Sequence, residues 1–130
     1  MSELPTVAIV DDDEAVREAL GDLLMVSGLA CETFAGAVPF LDAWTNRHFD
    51  CLVTDIRMPG MTGIELIEYL HNEGADLPVI VLSSVLDQQA RASAVSLGVR
   101  DWFTKPVSDE QLLGAIAAAI EDRPATDTGR

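Results

Sequence analysis

The chain has 130 residues, 48% of them hydrophobic, which is enough to bury one core of ordinary size and sets a single domain as the expectation. Eight basic residues against 22 acidic ones leave a formal charge of -14, which argues against direct binding to nucleic acid or to an anionic membrane surface. No apolar run approaches the roughly 18 residues that span a bilayer, and the first residues lack a basic start and an apolar signal core, so a cytoplasmic protein is expected.

Thr6-Val7-Ala8-Ile9-Val10 is a continuous apolar, β-branched run and predicts a buried first strand, ending at Asp11-Asp12-Asp13-Glu14. Val16, Leu20, Leu23, Leu24 and Ser27 recur near helical spacing, with Ser27-Gly28 as a stop. Leu29 to Phe34 reads as a second strand, and Phe40, Leu41 and Trp44 mark one face of a second helix with Pro39 in its first turn. Cys51-Leu52-Val53 predicts a third buried strand, running into Asp55 and then the loop Met58-Pro59-Gly60. Ile64, Ile67 and Leu70 give a third helix ending near Gly74, and Pro78 to Leu82 a fourth strand leading into Ser83-Ser84.

The helical segment from Asp87 to Leu97 is poor in large apolar residues and stops at Gly98. Asp101 to Thr104 is a short fifth strand before Lys105-Pro106. Leu112, Leu113, Ile116 and Ile120 mark a last helix capped by Ser108 or Asp109. Residues 123–130 show no apolar period and are expected to be a flexible tail or a linker cut short, leaving residues 1–122 as the domain. Strands alternating with helices predict an α/β fold, a doubly wound parallel sheet with helices on both faces.

In such a sheet the C-terminal ends of the strands share one edge, where ligands bind. Asp11 and Asp12, Asp55, Ser83 and Lys105 all follow strands and so converge there. One of the three consecutive aspartates, Asp13 by position, is explained by helix capping; capping does not explain three. Clustered carboxylates repel unless protonated or neutralised by a cation. Oxygen ligands without His or Cys suit Mg²⁺, which shares its positions with water and phosphate oxygens. A lysine and a hydroxyl beside that site suit a transferring phosphoryl group. Cys31 and Cys51 lack metal-ligand spacing and read as core hydrophobes, while His48 and His71 show no partner spacing and read as surface residues.

Ile9-Val10-Asp11-Asp12, Asp55 with Arg57-Met58-Pro59-Gly60-Met61-Thr62-Gly63, Leu82-Ser83 and Lys105-Pro106 together resemble the receiver domains of bacterial two-component response regulators, with the greatest similarity to receivers of the nitrogen-fixation-regulator type. The resemblance runs from about Val7 to about Ile120. It implies a CheY-like, flavodoxin-like sheet of order 2-1-3-4-5, in which the first strand separates Cys31 from Cys51. It further implies that Asp55 accepts a phosphoryl group from a sensor histidine kinase. Asp12 and, through water, Asp11 would hold Mg²⁺ with Asp55 and the backbone carbonyl of Arg57, and Ser83 and Lys105 would bind phosphoryl oxygens. Arg57 and Val85 fall where the family tunes autodephosphorylation.

Trp102 matches the aromatic switch position that works with Ser83; the alternative is an indole packed between the last strand and the fourth helix. The fourth and last helices with the fifth strand would form the face that meets an output domain, a downstream protein or a second copy. The resemblance makes the chain a signalling module that acts only on its own phosphorylation. Two other readings stand beside it. A Mg²⁺-dependent phosphohydrolase with an aspartyl nucleophile needs an acid at position 57, where Arg57 stands. A scaffold that works without phosphorylation would not require Asp11, Asp12, Asp55, Ser83 and Lys105 together.

Overall fold

The computed structural model describes residues 4–84 and 87–122. Within them β1 (Thr6–Val10), α1 (Glu14–Val26), β2 (Ala30–Phe34), α2 (Ala37–Trp44), β3 (Cys51–Thr54), α3 (Gly63–Asn72), β4 (Val79–Ser83), α4 (Gln88–Ser96), β5 (Asp101–Thr104) and α5 (Asp109–Glu121) alternate without exception. All strand pairs are parallel, in the order β2-β1-β3-β4-β5. The α/β fold and its strand order are therefore those expected. The expected tail over 123–130, and Val85, lie outside the described residues.

The period of two along each strand divides the core into two layers. Ala8, Val10, Leu52 and Val81 face one side with Phe34, Phe40, Phe49, Leu66, Ile67 and Leu70, against α2 and α3. Val7, Ile9, Cys51, Val53, Ile80 and Leu82 face the other with Leu24, Leu112, Ile116 and Ala119, against α1 and α5. Strands buried on both faces explain why β1, β3 and β4 read as unbroken apolar runs.

Element boundaries shift for local reasons. Leu29 is not in β2, because its N–H turns back to the Leu24 carbonyl at 3.0 Å once Gly28, at φ 83°, has closed α1. Asp13, Thr62, Asp87 and Ser108 each cap the helix that follows with a side-chain oxygen, and Thr62 with Glu65 forms a capping box. Cys31 and Cys51 both register with Val7, one on each side of it. Two strand spacings, about 10 Å, separate them, beyond the reach of a disulfide, and neither forms one. Cys51 is fully buried, but Cys31 only half so.

His48 is exposed as expected, and its Nε2 lies 3.0 Å from Asp50 Oδ1. The other oxygen of Asp50 accepts the Thr6 N–H at 2.8 Å and ties the loop before β3 to the start of β1.

Candidate functional site

The parallel register carries the acids to one place. Val10 pairs with Thr54, and the Asp55 N–H continues that ladder onto the Val10 carbonyl at 3.0 Å. Asp11 and Asp55 thus leave adjacent strands at the same level. Ser83 pairs with Thr104, and the Lys105 N–H donates to the Ser83 carbonyl at 2.7 Å, so Lys105 leaves the sheet one step beyond. The ammonium then reaches across the ends of β4 and β3 to Asp11 Oδ2, 3.0 Å away, and lies 3.8 Å from Asp55 Oδ2.

Asp11 and Asp55 are buried, with 3% and 6% of their surface exposed, while Asp12 is exposed. One carboxylate oxygen from each of Asp11, Asp12 and Asp55 falls within 4.8 Å of the others. No His or Cys joins this group, so its donors are hard oxygens only. Such a set fits a small divalent cation of the Mg²⁺ type, which would take one or two carboxylates and complete its shell with other oxygens. Asp12 is exposed, so the cluster is open to water on that side.

Burial pushes the Asp55 carboxyl above its ordinary value; the Ile56 N–H, 2.7 Å from Oδ1, and Lys105 pull it back, while Asp11 and Asp12 push it further up. The fold therefore charges Asp55 at an energetic cost that a bound cation would relieve.

The two buried acids differ in what their oxygens do. Asp11 Oδ1 accepts the Asp13 N–H at 2.9 Å and Oδ2 accepts from Lys105. Asp55 Oδ1 is held by Ile56, but among the described residues Oδ2 meets only the ammonium at 3.8 Å. Asp55 is thus oriented by one oxygen and presents the other.

Ser83 ends β4 fully buried, beside the lysine's strand. Arg57 is exposed on the loop two residues past Asp55. Trp102 is half-buried and packs on the α2–α3 side of the core, the side that Ala90, Leu97 and Val99 also meet. Its Nε1 is nonetheless buried without a hydrogen-bond partner, the sole side-chain nitrogen or oxygen so placed among the described residues.

Three contributors escape a reading of the sequence alone. Thr54 is buried and its Oγ1 donates to the Asp55 carbonyl at 2.9 Å. The Arg17 Nη1 donates to the Asp11 carbonyl at 2.8 Å. At Gly63 a Cβ would lie 2.1 Å from the Asp55 carbonyl oxygen and 2.8 Å from Ile56 Cα, so only glycine lets α3 start this close to the acid. Gly63 stands inside the Met58–Gly63 stretch that carries the resemblance, but nothing local signals the approach. A cavity of about 570 Å³ does not mark the site: it opens at the opposite sheet edge, between the ends of α3, α4 and α5.

A five-stranded parallel sheet of this order, with an acid cluster and a lysine at its C-terminal edge, defines a receiver-type signalling domain. Residues 7–117 match the response regulator receiver domain, and the chain belongs to that family. It is 41% identical over 120 residues to the transcriptional regulatory protein FixJ of Azorhizobium caulinodans, covering 92% of this chain and 57% of that protein. It is 40% identical over 118 residues to the response regulator protein TodT of Pseudomonas putida, covering 91% and 52%. The crystal structure of FixJ-N superimposes with a TM-score of 0.85 at 35% identity, covering 95% of this chain and 98% of that one. Full-length FixJ of B. japonicum gives a TM-score of 0.88 at 33% identity over 97% of this chain but 63% of its own. The chain thus spans little more than half the length of the regulators it matches.

Proposed function

We propose that Asp55 is the phosphoacceptor of a two-component phosphorelay, with a sensor histidine kinase as donor. The observation that carries this reading is the inequality of the two buried acids: among the described residues Asp11 has both oxygens bonded, whereas Asp55 is fixed through one oxygen and presents the other toward a lysine. Oδ2 would attack the donor's phosphorus; the new O–P bond forms as the P–N bond to the imidazole breaks, and the imidazole leaves with the electron pair and takes up a proton. Asp11, Asp12, Asp55 and the Arg57 carbonyl would hold Mg²⁺, which when bound supplies charge neutralisation among the acids and the phosphoryl oxygens. Lys105 would follow a phosphoryl oxygen, and Ser83 would donate to another.

An acyl phosphate adds negative charge beside a buried acid pair. Ser83 and Trp102 would respond to it. The resting indole leaves a buried donor unpaired, at a cost of about 1–3 kcal/mol that a rotation meeting an acceptor would recover. The α4–β5–α5 face would pass the change to an output domain, a downstream protein or a second copy. We read the chain as a signalling domain with no turnover on a separate substrate, acting in the cytoplasm and not itself binding nucleic acid. Residues 1–122 would form the receiver, and those beyond it a tail or the start of a linker.

Intact mass after incubation with Mg²⁺ and acetyl phosphate tests the reading. The wild type should gain one phosphoryl group, only with Mg²⁺, and Asp55→Asn none. A wild type that gains nothing, and takes up no beryllofluoride, would sink it in favour of the scaffold.

A further inference from the structure

We propose that Arg17 is a positioning residue for the cation-binding acids, acting through the peptide that joins Asp11 to Asp12; this rests on reading the acid cluster as the metal site. Asp11 is fixed by nearly every polar group it owns. Its N–H donates to the Phe34 carbonyl at 3.1 Å, its Oδ1 accepts from Asp13 and its Oδ2 from Lys105. The remaining group is the carbonyl, and Arg17 Nη1 donates to it at 2.8 Å.

That carbonyl lies in the peptide plane leading into Asp12. Asp12 is exposed, and among the described hydrogen bonds none involves its carboxylate. No side-chain bond fixes it, so its reach toward Asp11 and Asp55 is set by where the backbone places the Asp12 Cβ, and turning the Asp11–Asp12 plane moves that Cβ relative to both acids. A cation held among these carboxylates, with Asp12 as a direct ligand, is sensitive to that rotation.

The way Arg17 is used supports positioning over neutralisation. In a chain with 22 acids this half-buried guanidinium forms no ion pair among the described residues and donates to an uncharged carbonyl instead. It is carried by α1, whose first turn is fixed by Asp13: the Asp13 side chain caps the helix and the Arg17 N–H donates to the Asp13 carbonyl at 3.1 Å. The link is thus rigid from α1 to the end of β1, as a second-sphere contact must be to aim a ligand. A purely structural Arg17 would lower stability and leave the folded protein's cation affinity alone.

Isothermal titration with Mg²⁺, well below the melting temperature, separates these roles. Arg17→Ala and Arg17→Met should weaken Mg²⁺ affinity roughly three- to tenfold, the range of one lost hydrogen bond. Arg17→Lys, which retains a charged donor, should recover part of the loss. Arg100→Ala serves as the stability control: it removes the ion pair with Asp122 at the opposite sheet edge and should leave the affinity unchanged. Affinity within twofold of wild type in both Arg17→Ala and Arg17→Met overturns the proposal, as does an equal loss in Arg100→Ala. If the alanine variant does not fold, Arg17→Met alone decides. A wild type without measurable Mg²⁺ uptake would fail the metal-site reading itself, an outcome distinct from a normal wild type beside a normal Arg17→Met.

Discussion

Asp55 sits where burial and two neighbouring carboxylates raise its pKa against the pull of Ile56 and Lys105, and the sign of that shift has a measurable consequence. An acid whose folded pKa lies above its unfolded one binds more protons in the native state. Stability is then highest below the ordinary carboxylate range and declines as pH rises through the raised value. Asp55→Asn, measured without divalent cation, should therefore raise the melting temperature at pH 7, and the gain should shrink as pH falls toward about 4. A gain that does not vary with pH would assign the effect to something other than ionisation. Gly63 acts on the same acid through space rather than charge. Gly63→Ala puts a methyl group 2.1 Å from the Asp55 carbonyl, against backbone that cannot yield as a flexible side chain would. It should cost about 2–4 kcal/mol in denaturant unfolding and slow phosphorylation by acetyl phosphate in whatever fraction folds. Full stability in that variant would mean that the β3–α3 loop has slack the close contact does not suggest.

Among the helices, α4 is the least anchored by apolar bulk. Its sequence Gln88–Ser96 buries Ala94 alone, whereas α5 buries Leu112, Ile116 and Ala119 and α3 buries Leu66, Ile67 and Leu70 along with Gly63. The caps Asp87 and Ser108, a carboxylate and a hydroxyl, share one geometry, each accepting a first-turn N–H, at 3.0 Å from Ala90 and 3.0 Å from Gln111. Asp87→Ala and Ser108→Ala should each remove about 1 kcal/mol. In hydrogen exchange they should differ. Loss of the Asp87 cap should speed exchange locally across α4, while loss of the Ser108 cap leaves α5 opening only with its core. Equal local effects would show that α4 has an anchor beyond Ala94. A helix held so lightly beside the acid edge suits a face that changes on phosphorylation.

The whole molecule carries a formal charge of -14, and Lys105 lies beside two of its acids, Asp11 and Asp55. Self-repulsion on this scale is screened within a Debye length, which falls from roughly 20–30 Å at low salt to about 8 Å at 0.15 M. Adding sodium chloride from about 0.01 M to 0.15 M should raise the melting temperature by a few degrees. Mg²⁺ at a few millimolar should raise it further in the wild type than in Asp12→Ala. An equal response in both would assign the Mg²⁺ effect to general screening.

Much of this protein is legible in sequence because its signals are local. Apolar runs at β1, β3 and β4 and helical spacing at α1 and α5 fix the element order, alternation fixes the parallel sheet, and the parallel sheet alone gathers Asp11, Asp12, Asp55, Ser83 and Lys105 at one edge. The family follows from the same residues. What needed the tertiary structure is contact between distant positions. Lys105 meets Asp11 across 94 residues of chain, and Gly63 is obligatory only because α3 begins against the Asp55 carbonyl. Arg17 appears in the sequence as one more residue of a helix, and Trp102 as an aromatic in a strand. Its bond to a carbonyl, and the indole's unpaired nitrogen, exist only once the packing places donors and acceptors in space, since side-chain partners are set by the fold's geometry and not by the local periodicity that produces the fold.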